Sequence, residues 1–531
     1  MVALLYHEGL VRIHSIFWLA ALAYGQETGS RACARCHAEI YAKYQATGMA
    51  RSAGGVGSGA FRESFAQAAF TDAASGANYQ VSSNYELTFS RLEAEGRRVL
   101  SWFVGSGKVG RSYLFSGGDG WLFQAPVSYY SETQKWDVSP GYQRKRTVEL
   151  TRAVETACLQ CHTSRMQSLA TNRFAAAPFL EGGVSCERCH GPGQAHIAAK
   201  GAKTAIVNPA KLDAERRDSV CAQCHLTGAA RVARANGKRY QPGDLLSDSL
   251  AITVWSGAVN GEANATSHYE KLAQSKCKQV SGTKLWCATC HNPHETVTAS
   301  QQADHYRQAC LSCHATKPCT GDAGPDCAGC HMPNRQTRSV DHLAYTDHSI
   351  ARRPGTSNSP VSSARVLESF WKSPLSSRDL ALSYATVAPT EPSVRPQALD
   401  LLEQASAAAP NDVPILVQLA QFYDRMGREE QALALCERIV KLDPSQTGTS
   451  VNLGIYRMKR GQATEAIALW EAALRRNPAL TGARMNLAVA HYRAGNKAAA
   501  EANLVKALQY EPDLDAARRM LAELRSVPGQ K

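Results

Sequence analysis

The stretch GVSCERCHGPGQAH, residues 183–196, contains Cys186, Cys189 and His190 in the arrangement Cys-x-x-Cys-His. This arrangement occurs seven times in the chain of 531 residues. In chain order, the seven motifs are Cys33-Cys36-His37, Cys158-Cys161-His162, Cys186-Cys189-His190, Cys221-Cys224-His225, Cys287-Cys290-His291, Cys310-Cys313-His314 and Cys327-Cys330-His331. They use 14 of the 17 cysteines, so the function of the region from residue 26 to residue 350 depends on their chemistry.

The spacing within each motif fits covalent attachment of haem. Two thiols three positions apart add to the two vinyl groups of one porphyrin, and the adjacent histidine then ligates the iron. Structural zinc is the alternative, because paired Cys-x-x-Cys knuckles also build zinc ribbons. Zinc does not require histidine directly after the second cysteine, and all seven pairs have it. We therefore predict seven haem c groups, with the motif cysteines as attachment sites and the seven motif histidines as proximal iron ligands.

The N-terminus has the pattern of an export signal. Arg12 precedes an apolar run at residues 13–24, and the small residues Ala21, Ala23 and Gly25 suit cleavage. We predict a cleaved signal peptide over residues 1–25 and a periplasmic or otherwise exported protein. An uncleaved anchor is the alternative, although the run is short for a membrane span. No later segment is apolar enough to cross a bilayer, which predicts no membrane span in the mature chain.

The formal net charge of +13 is compatible with a nucleic-acid partner. Seven haem groups, however, carry about fourteen propionate charges, which offset most of the excess of Lys and Arg. We therefore predict no nucleic-acid partner. The cluster Arg144-Lys145-Arg146 is interpreted as a counter-charge to propionates, a docking patch or a solvated face, and the sequence leaves these three open.

The predicted fold class is mostly α, and the haem region over residues 26–350 is expected to be helix and loop with one insert. Between the first two motifs, Leu87 and Phe89 alternate with polar residues, and so do Phe123, Ala125 and Val127. This alternation predicts a small antiparallel sheet at about residues 79–130. A Pro- and Ser-rich connection over residues 351–378 follows the haem region.

The C-terminal region repeats with a period of 34 residues. Residues in register are Gly427, Gly461 and Gly495; Ala432, Ala466 and Ala500; Leu419, Leu453 and Leu487; and Pro444, Pro478 and Pro512. This period is typical of tetratricopeptide repeats, which stack helix pairs into an α-solenoid with a concave binding surface. We predict such a domain over residues 379–526, with three full units in 413–514, a degenerate unit before them and a capping helix after them. Cys436 is expected to be a small buried apolar residue.

The repeats have two interpretations. A repeat stack normally offers its concave surface to another protein, so we predict that it docks redox partner proteins. The alternative is that the repeats only buttress the haem region, because the connection between the two is short.

Four strings around the motifs suggest a family. GVSCERCHGPGQAH, WCATCHNPH, CAGCHMP and TDHSI resemble the periplasmic multihaem cytochromes c typified by the tetrahaem cytochrome of ammonia oxidation. The resemblance covers residues 33–350 and implies electron transfer through closely stacked, mostly bis-histidine haems. Several bacterial members also join such a domain to tetratricopeptide repeats. This chain departs from the tetrahaem type in having seven motifs, so the haem order cannot be carried over.

A haem that only carries electrons usually has both axial positions filled, so a supply of distal ligands is expected. The histidine candidates are His196, His268, His294, His305, His342 and His348. His294 follows His291 by three positions and cannot reach the opposite face of that haem, so it should serve a neighbour. Met49 is the seventh candidate, and a core filler is its alternative role.

We therefore predict a heptahaem electron carrier and assign no catalytic residue. One alternative is a multihaem oxidoreductase that acts on a small nitrogen or sulfur compound at one open haem. Another is a haem-bearing assembly scaffold. Cys277 and Cys319 lie outside the motifs and form either a disulfide or two free thiols.

Overall fold

A computed structural model describes residues 28–526, except for residues 59–60, 144, 171, 257–266, 316–323, 325, 337–343 and 353–365. Several predicted features therefore lie outside the described residues. They are the signal peptide, Arg144, Cys319 and His342. The disulfide predicted as one alternative for Cys277 and Cys319 lies outside the described residues for the same reason.

The N-terminal part of the chain forms two short helices and a strand-rich unit. Its elements are α1 (Ser30–Ala34), α2 (Ala38–Gln45), β1 (Ala53–Gly55), β2 (Ala69–Thr71), β3 (Asn78–Val81), β4 (Glu86–Arg91), β5 (Ala94–Val104), β6 (Gly110–Ser116), β7 (Leu122–Tyr130) and β8 (Lys135–Val138). Strands β2 to β8 pair antiparallel in chain order, and β1 pairs with the end of β5. Because β2 also contacts β8, the sheet curls into a nearly closed barrel.

The barrel corrects part of the predicted fold class. The sequence predicts a small sheet inside a mostly helical chain, whereas strands run from residue 53 to residue 138 and make the N-terminal region strand-rich. Leu87 and Phe89 are buried as their alternation predicts. In β7 nearly every side chain is buried, because both faces of the strand are covered. Its inner face fills the barrel, and Leu122 on its outer face packs against Phe174 and Leu159. Leu159 belongs to the second motif, which therefore lies on the outer wall of the barrel.

The barrel interior contains a buried ion pair. The Arg111 guanidinium donates from Nη1 to Oε1 of Glu63 at 2.8 Å, and the Tyr113 hydroxyl donates to the same oxygen at 2.8 Å. The guanidinium also lies 3.8 Å from the ring centre of Phe103. Burial alone raises the pKa of Glu63, but hydrogen bonds from Tyr85 and Arg111 outweigh it and leave that pKa below its ordinary value.

The segments that carry the later motifs are short helices and turns joined by small sheets. Their elements are α3 (Thr156–Leu159), β9 (Arg165–Ala170), β10 (Arg173–Glu181), α4 (Glu187–His190), α5 (Gln194–Ala198), α6 (Ala214–His225), β11 (Ala230–Ala233), β12 (Leu250–Trp255), α7 (His268–Gln274), α8 (Lys276–Ser281), α9 (Gln302–His314), α10 (Cys327–His331), β13 (Asn334–Gln336), β14 (Ala344–Thr346) and β15 (Leu367–Ser369). Strand β15 lies within the connection predicted at 351–378, and it pairs with β12.

The repeats form four helix pairs and a final helix. They are α11 (Ser377–Val387), α12 (Arg395–Ala408), α13 (Val413–Arg425), α14 (Glu429–Leu442), α15 (Thr447–Lys459), α16 (Ala463–Arg476), α17 (Thr481–Arg493), α18 (Lys497–Tyr510) and α19 (Asp515–Ser526). The in-register Ala and Leu residues are buried, and the three glycines end the first helix of their units with φ of 71° to 77°. The prediction of tetratricopeptide repeats is confirmed, and Cys436 is buried on α14.

The repeat stack contacts the rest of the chain at both ends. At its start, α11 packs on the sheet β11–β12–β15, and Arg234 forms an ion pair with Asp379 at 2.6 Å. At its end, the last residue of α18 and the loop after it lie on the barrel. There the Tyr510 carbonyl accepts a hydrogen bond from the Leu150 amide at 2.8 Å, and the Tyr510 ring packs on Phe123. The stack is therefore fixed to the motif-bearing region at two separate places.

Asp513 is the central polar residue of the second contact. Its Oδ2 accepts from Arg91 Nη1 and from the Val148 amide, both at 3.0 Å. Replacing Asp513 with alanine leaves both donors without this acceptor, and we expect a loss of about 2–4 kcal/mol in stability. Chemical denaturation measures the loss. Asp515→Ala is the control, because that carboxylate pairs with Arg518 at the surface and its loss should cost less than about 1 kcal/mol.

Candidate functional site

The motifs sit on single helical turns, which bring their side chains to one face. The amide of the motif histidine donates to the carbonyl of the first cysteine in the first, third and fifth motifs, at 2.9 to 3.0 Å. Residues three positions apart in such a turn are neighbours on its surface. Both thiols of these three motifs therefore face the same side, as one porphyrin requires.

Thiols from different motifs lie against one another. Neighbouring thiols are Cys33 and Cys186, Cys161 and Cys224, Cys221 and Cys287, and Cys310 and Cys327. The neighbouring thiol lowers the pKa of Cys161 and that of Cys186. In space, the first motif is thus beside the third, the second beside the fourth, the fourth beside the fifth, and the sixth beside the seventh.

Three pairs of imidazoles have the separation that a shared iron needs. A metal–nitrogen bond to imidazole is about 2 Å long, so two imidazoles on opposite faces of one iron have ring centroids about 6.3 Å apart. The centroids are 6.4 Å apart for His37 and His196, 6.0 Å for His190 and His294, and 6.2 Å for His291 and His348. Each pair joins a motif histidine to one of the predicted distal ligands.

Several of these imidazoles donate a hydrogen bond from Nδ1 to a backbone carbonyl. His190 bonds Val207 O at 2.8 Å, His196 bonds Ala202 O at 3.0 Å, and His348 bonds Thr346 O at 2.8 Å. His331 of the seventh motif likewise bonds Ala351 O at 2.7 Å. A proton on Nδ1 leaves the Nε2 lone pair free, which is the tautomer that ligates a metal.

Burial keeps other motif-region imidazoles neutral, the form that ligates iron. Desolvation lowers the pKa of His268 to about 3 and that of His291 to about 4. It also lowers the pKa values of His162 and His225, with a smaller contribution from neighbouring histidines.

The remaining candidate ligands have other surroundings. His268 lies 5.4 Å from His225 and 5.0 Å from His348, measured between ring centroids. His305 bonds the Cys290 carbonyl at 3.1 Å through Nε2, whereas His196 and His348 bond backbone carbonyls through Nδ1.

Met49 is half buried beside the second motif. Its carbonyl accepts from the Val184 amide at 2.9 Å, and nearby Ser52 donates its hydroxyl to the carbonyl of His162 at 2.6 Å. The segment that carries Met49 therefore lies between the second motif and the residues that precede the third.

Buried donors without a protein partner surround the third and fourth motifs. Among the described residues, Arg188 Nε, the Tyr240 hydroxyl and Trp371 Nε1 have no hydrogen-bond partner. Buried polar groups are normally paired, and haem propionates would supply acceptors for these three. The residues present therefore fit a haem-binding region. No local sequence pattern marks these donors, because the fold brings them together from separate segments.

Comparisons with known proteins agree with this geometry. Residues 127–191 match the family model described as cytochrome c554 and c-prime, and residues 278–318 match the doubled CXXCH motif. Residues 396–447 and 451–515 match two tetratricopeptide repeat models. By these matches the chain resembles a multihaem cytochrome c joined to tetratricopeptide repeats. Haem c groups attached at its motifs would supply electron transfer.

The chain is also similar to individual proteins. It is 30% identical over 177 residues to the multiheme cytochrome MtrA of Shewanella baltica strain OS185, a match that covers 30% of this chain and 53% of that protein. The chain thus spans about half the length of this curated relative. Among solved structures, a MamA crystal structure is 18% identical, with a TM-score of 0.26 and coverage of 28% of this chain and 80% of that chain. MamA from Desulfovibrio magneticus RS-1 is 20% identical, with a TM-score of 0.26 and coverage of 28% and 85%.

The described residues contain no helix long and apolar enough to span a membrane.

Proposed function

We propose that this cytochrome is an exported heptahaem electron carrier that docks to redox partner proteins through its repeats. The observation that carries the proposal is the set of three histidine pairs at iron-ligating separation, each joining a motif histidine to a histidine elsewhere in the chain. Such a pair would hold one haem iron from both sides and would leave that iron no open position for a substrate. The haem-attachment motifs and the predicted signal peptide support an exported, periplasmic location.

His305 is the observation that favours the alternative function. Because its Nε2 bonds the Cys290 carbonyl, it is not placed to ligate an iron in this arrangement. His314 of the sixth motif is exposed. An iron held there with an open position would suit an oxidoreductase acting on a small nitrogen or sulfur compound.

The spin state of the iron distinguishes a carrier from such an enzyme. A carrier with closed irons is expected to show low-spin spectra for all seven haems, and carbon monoxide or cyanide should leave them unchanged. Electron paramagnetic resonance of the oxidised protein, followed by carbon monoxide titration of the reduced protein, makes the measurement. A high-spin haem that binds carbon monoxide stoichiometrically would favour the oxidoreductase.

Two exposed apolar side chains on the repeats support the docking proposal. Ile455 on α15 is 37% exposed and Tyr492 on α17 is 50% exposed, and these helices are the first members of two successive pairs. Repeat stacks commonly bind partners through side chains that successive repeats present. We propose that a redox partner binds there, while the two ends of the stack stay fixed to the haem region.

A further inference from the structure

We infer that distal ligation in this cytochrome is crossed between motifs in a fixed order. His196, which follows the third motif, closes the iron of the first motif. His294, which follows the fifth motif, closes the iron of the third. His348, which follows the seventh motif, closes the iron of the fifth. The inference rests on the proposed haem binding and adds which histidine serves which motif.

The pair His190 and His294 shows why the ligand crosses. The two rings are 6.0 Å apart and inclined by only 16°, and the Val207 carbonyl holds His190 by Nδ1. The rings of His294 and Tyr44 make an edge contact, with centroids 6.4 Å apart. This contact positions the His294 ring next to the third motif. His294 thus serves a motif that lies about a hundred residues earlier in the sequence.

Hydrogen bonds between the third motif and the residues that precede the first motif bring His37 close to His196. The rings are 6.4 Å apart and inclined by 15°, and the Ala202 carbonyl holds His196 by Nδ1. The carboxylate of Glu187 accepts from the backbone amides of Thr28 and Gly29, both at 2.9 Å. Because Glu187 lies inside the third motif, these bonds fix the first motif against it.

A small hairpin after the seventh motif places His348 near His291. Strand β14 pairs with β13, and Asp347 bonds Arg335 at 2.6 Å across this hairpin. The Thr346 carbonyl holds His348 by Nδ1, and its ring is 6.2 Å from His291. His268 is also close to His348, but 5.0 Å between centroids is too short for two ligands of one iron.

The consequence of crossed ligation is that removing one histidine opens an iron attached elsewhere in the chain. In the full chain, His294→Ala is expected to convert one of the seven haems from low-spin to high-spin, with no change in the haem mass. Imidazole added to the solution should restore the low-spin signal. His491→Ala, on α17 of the repeats, is the control and should leave all seven haems low-spin.

Backgrounds that lack one haem identify the iron that His294 serves. In C186S/C189S, which removes the third haem, His294→Ala is expected to add no high-spin haem. In C287S/C290S, which removes the fifth haem, it should still convert one. The opposite pattern would overturn the inference, and so would a fully low-spin His294→Ala variant of the intact chain.

A second substitution, in which the new side chain can also ligate the iron, tests the assignment if the cysteine variants do not fold. His294→Met is expected to replace one bis-histidine haem by a His/Met haem of higher potential without any high-spin signal. Haem spectra and potentials unchanged from those of the unmodified chain would contradict the assignment. Failure of the proposed function is a separate result, because it would show as fewer than seven haems in the mass of the unmodified chain.

Discussion

Replacing Arg111 with leucine is expected to destabilise the barrel by about 3–5 kcal/mol. The substitution leaves the buried Glu63 carboxylate without its cation, while Tyr113 and Tyr85 still donate to it. Hydrogen exchange of the β6 and β7 amides in the full, haem-loaded chain measures the local loss. We expect protection of these strands to fall more than about a hundredfold.

Two variants test the physical reason for this loss. Glu63→Gln combined with Arg111→Met removes both charges, and we expect it to destabilise the barrel less than Arg111→Leu alone. Arg97→Leu changes an exposed arginine on neighbouring β5 and should alter protection by less than about threefold. If Arg111→Leu leaves the protection of β6 unchanged, the ion pair does not stabilise the barrel.

Deleting residues 377–531 is expected to prevent folding of the haem region, with loss of soluble, fully haem-loaded protein. The deletion uncovers the face of β11–β12–β15 on which α11 packs. Burial of Val232 and Leu367 on that face alone stabilises the chain by about 3–6 kcal/mol. The deletion also removes Asp513 and Tyr510 from the barrel. Absorbance of the attached haem, relative to protein mass in the soluble fraction, measures the outcome.

Point variants separate bracing from docking. Ile455→Asp and Tyr492→Asp change exposed side chains and leave both ends of the stack intact. We expect these variants to retain all haems and to bind a redox partner more weakly. A truncated chain that is soluble and fully loaded would contradict the bracing role of the repeats. Unchanged partner binding by both point variants would contradict docking at this surface.

Sequence and structure agree best where structure is local. The 34-residue period predicts the repeats because each helix pair repeats the same short-range packing, as the buried Ala432, Ala466 and Ala500 show. The motifs are readable for the same reason, since one helical turn contains both thiols and the histidine. The sequence predicts only part of the barrel, because closure depends on contact between β2 and β8, which are distant in sequence.

Charge and ligand pairing depend on tertiary structure. Nothing in the sequence around Glu63 or Arg111 indicates that these residues meet in a barrel interior. The supply of distal histidines is readable from composition, but the partner of each one follows from contacts between segments about a hundred residues apart, as for His190 and His294. His305 has the right residue type, and only the structure shows its Nε2 on a backbone carbonyl.

The mass of the intact, denatured protein tests most directly the proposal that seven haem groups are attached to this chain. Denaturation releases non-covalent ligands and leaves thioether-linked haem in place, so the added mass counts the attachment sites that are used. We predict the mass of the processed chain plus seven haem groups. A mass with fewer haems, or with zinc that is lost on denaturation, would contradict the assignment of every Cys-x-x-Cys-His motif to haem c.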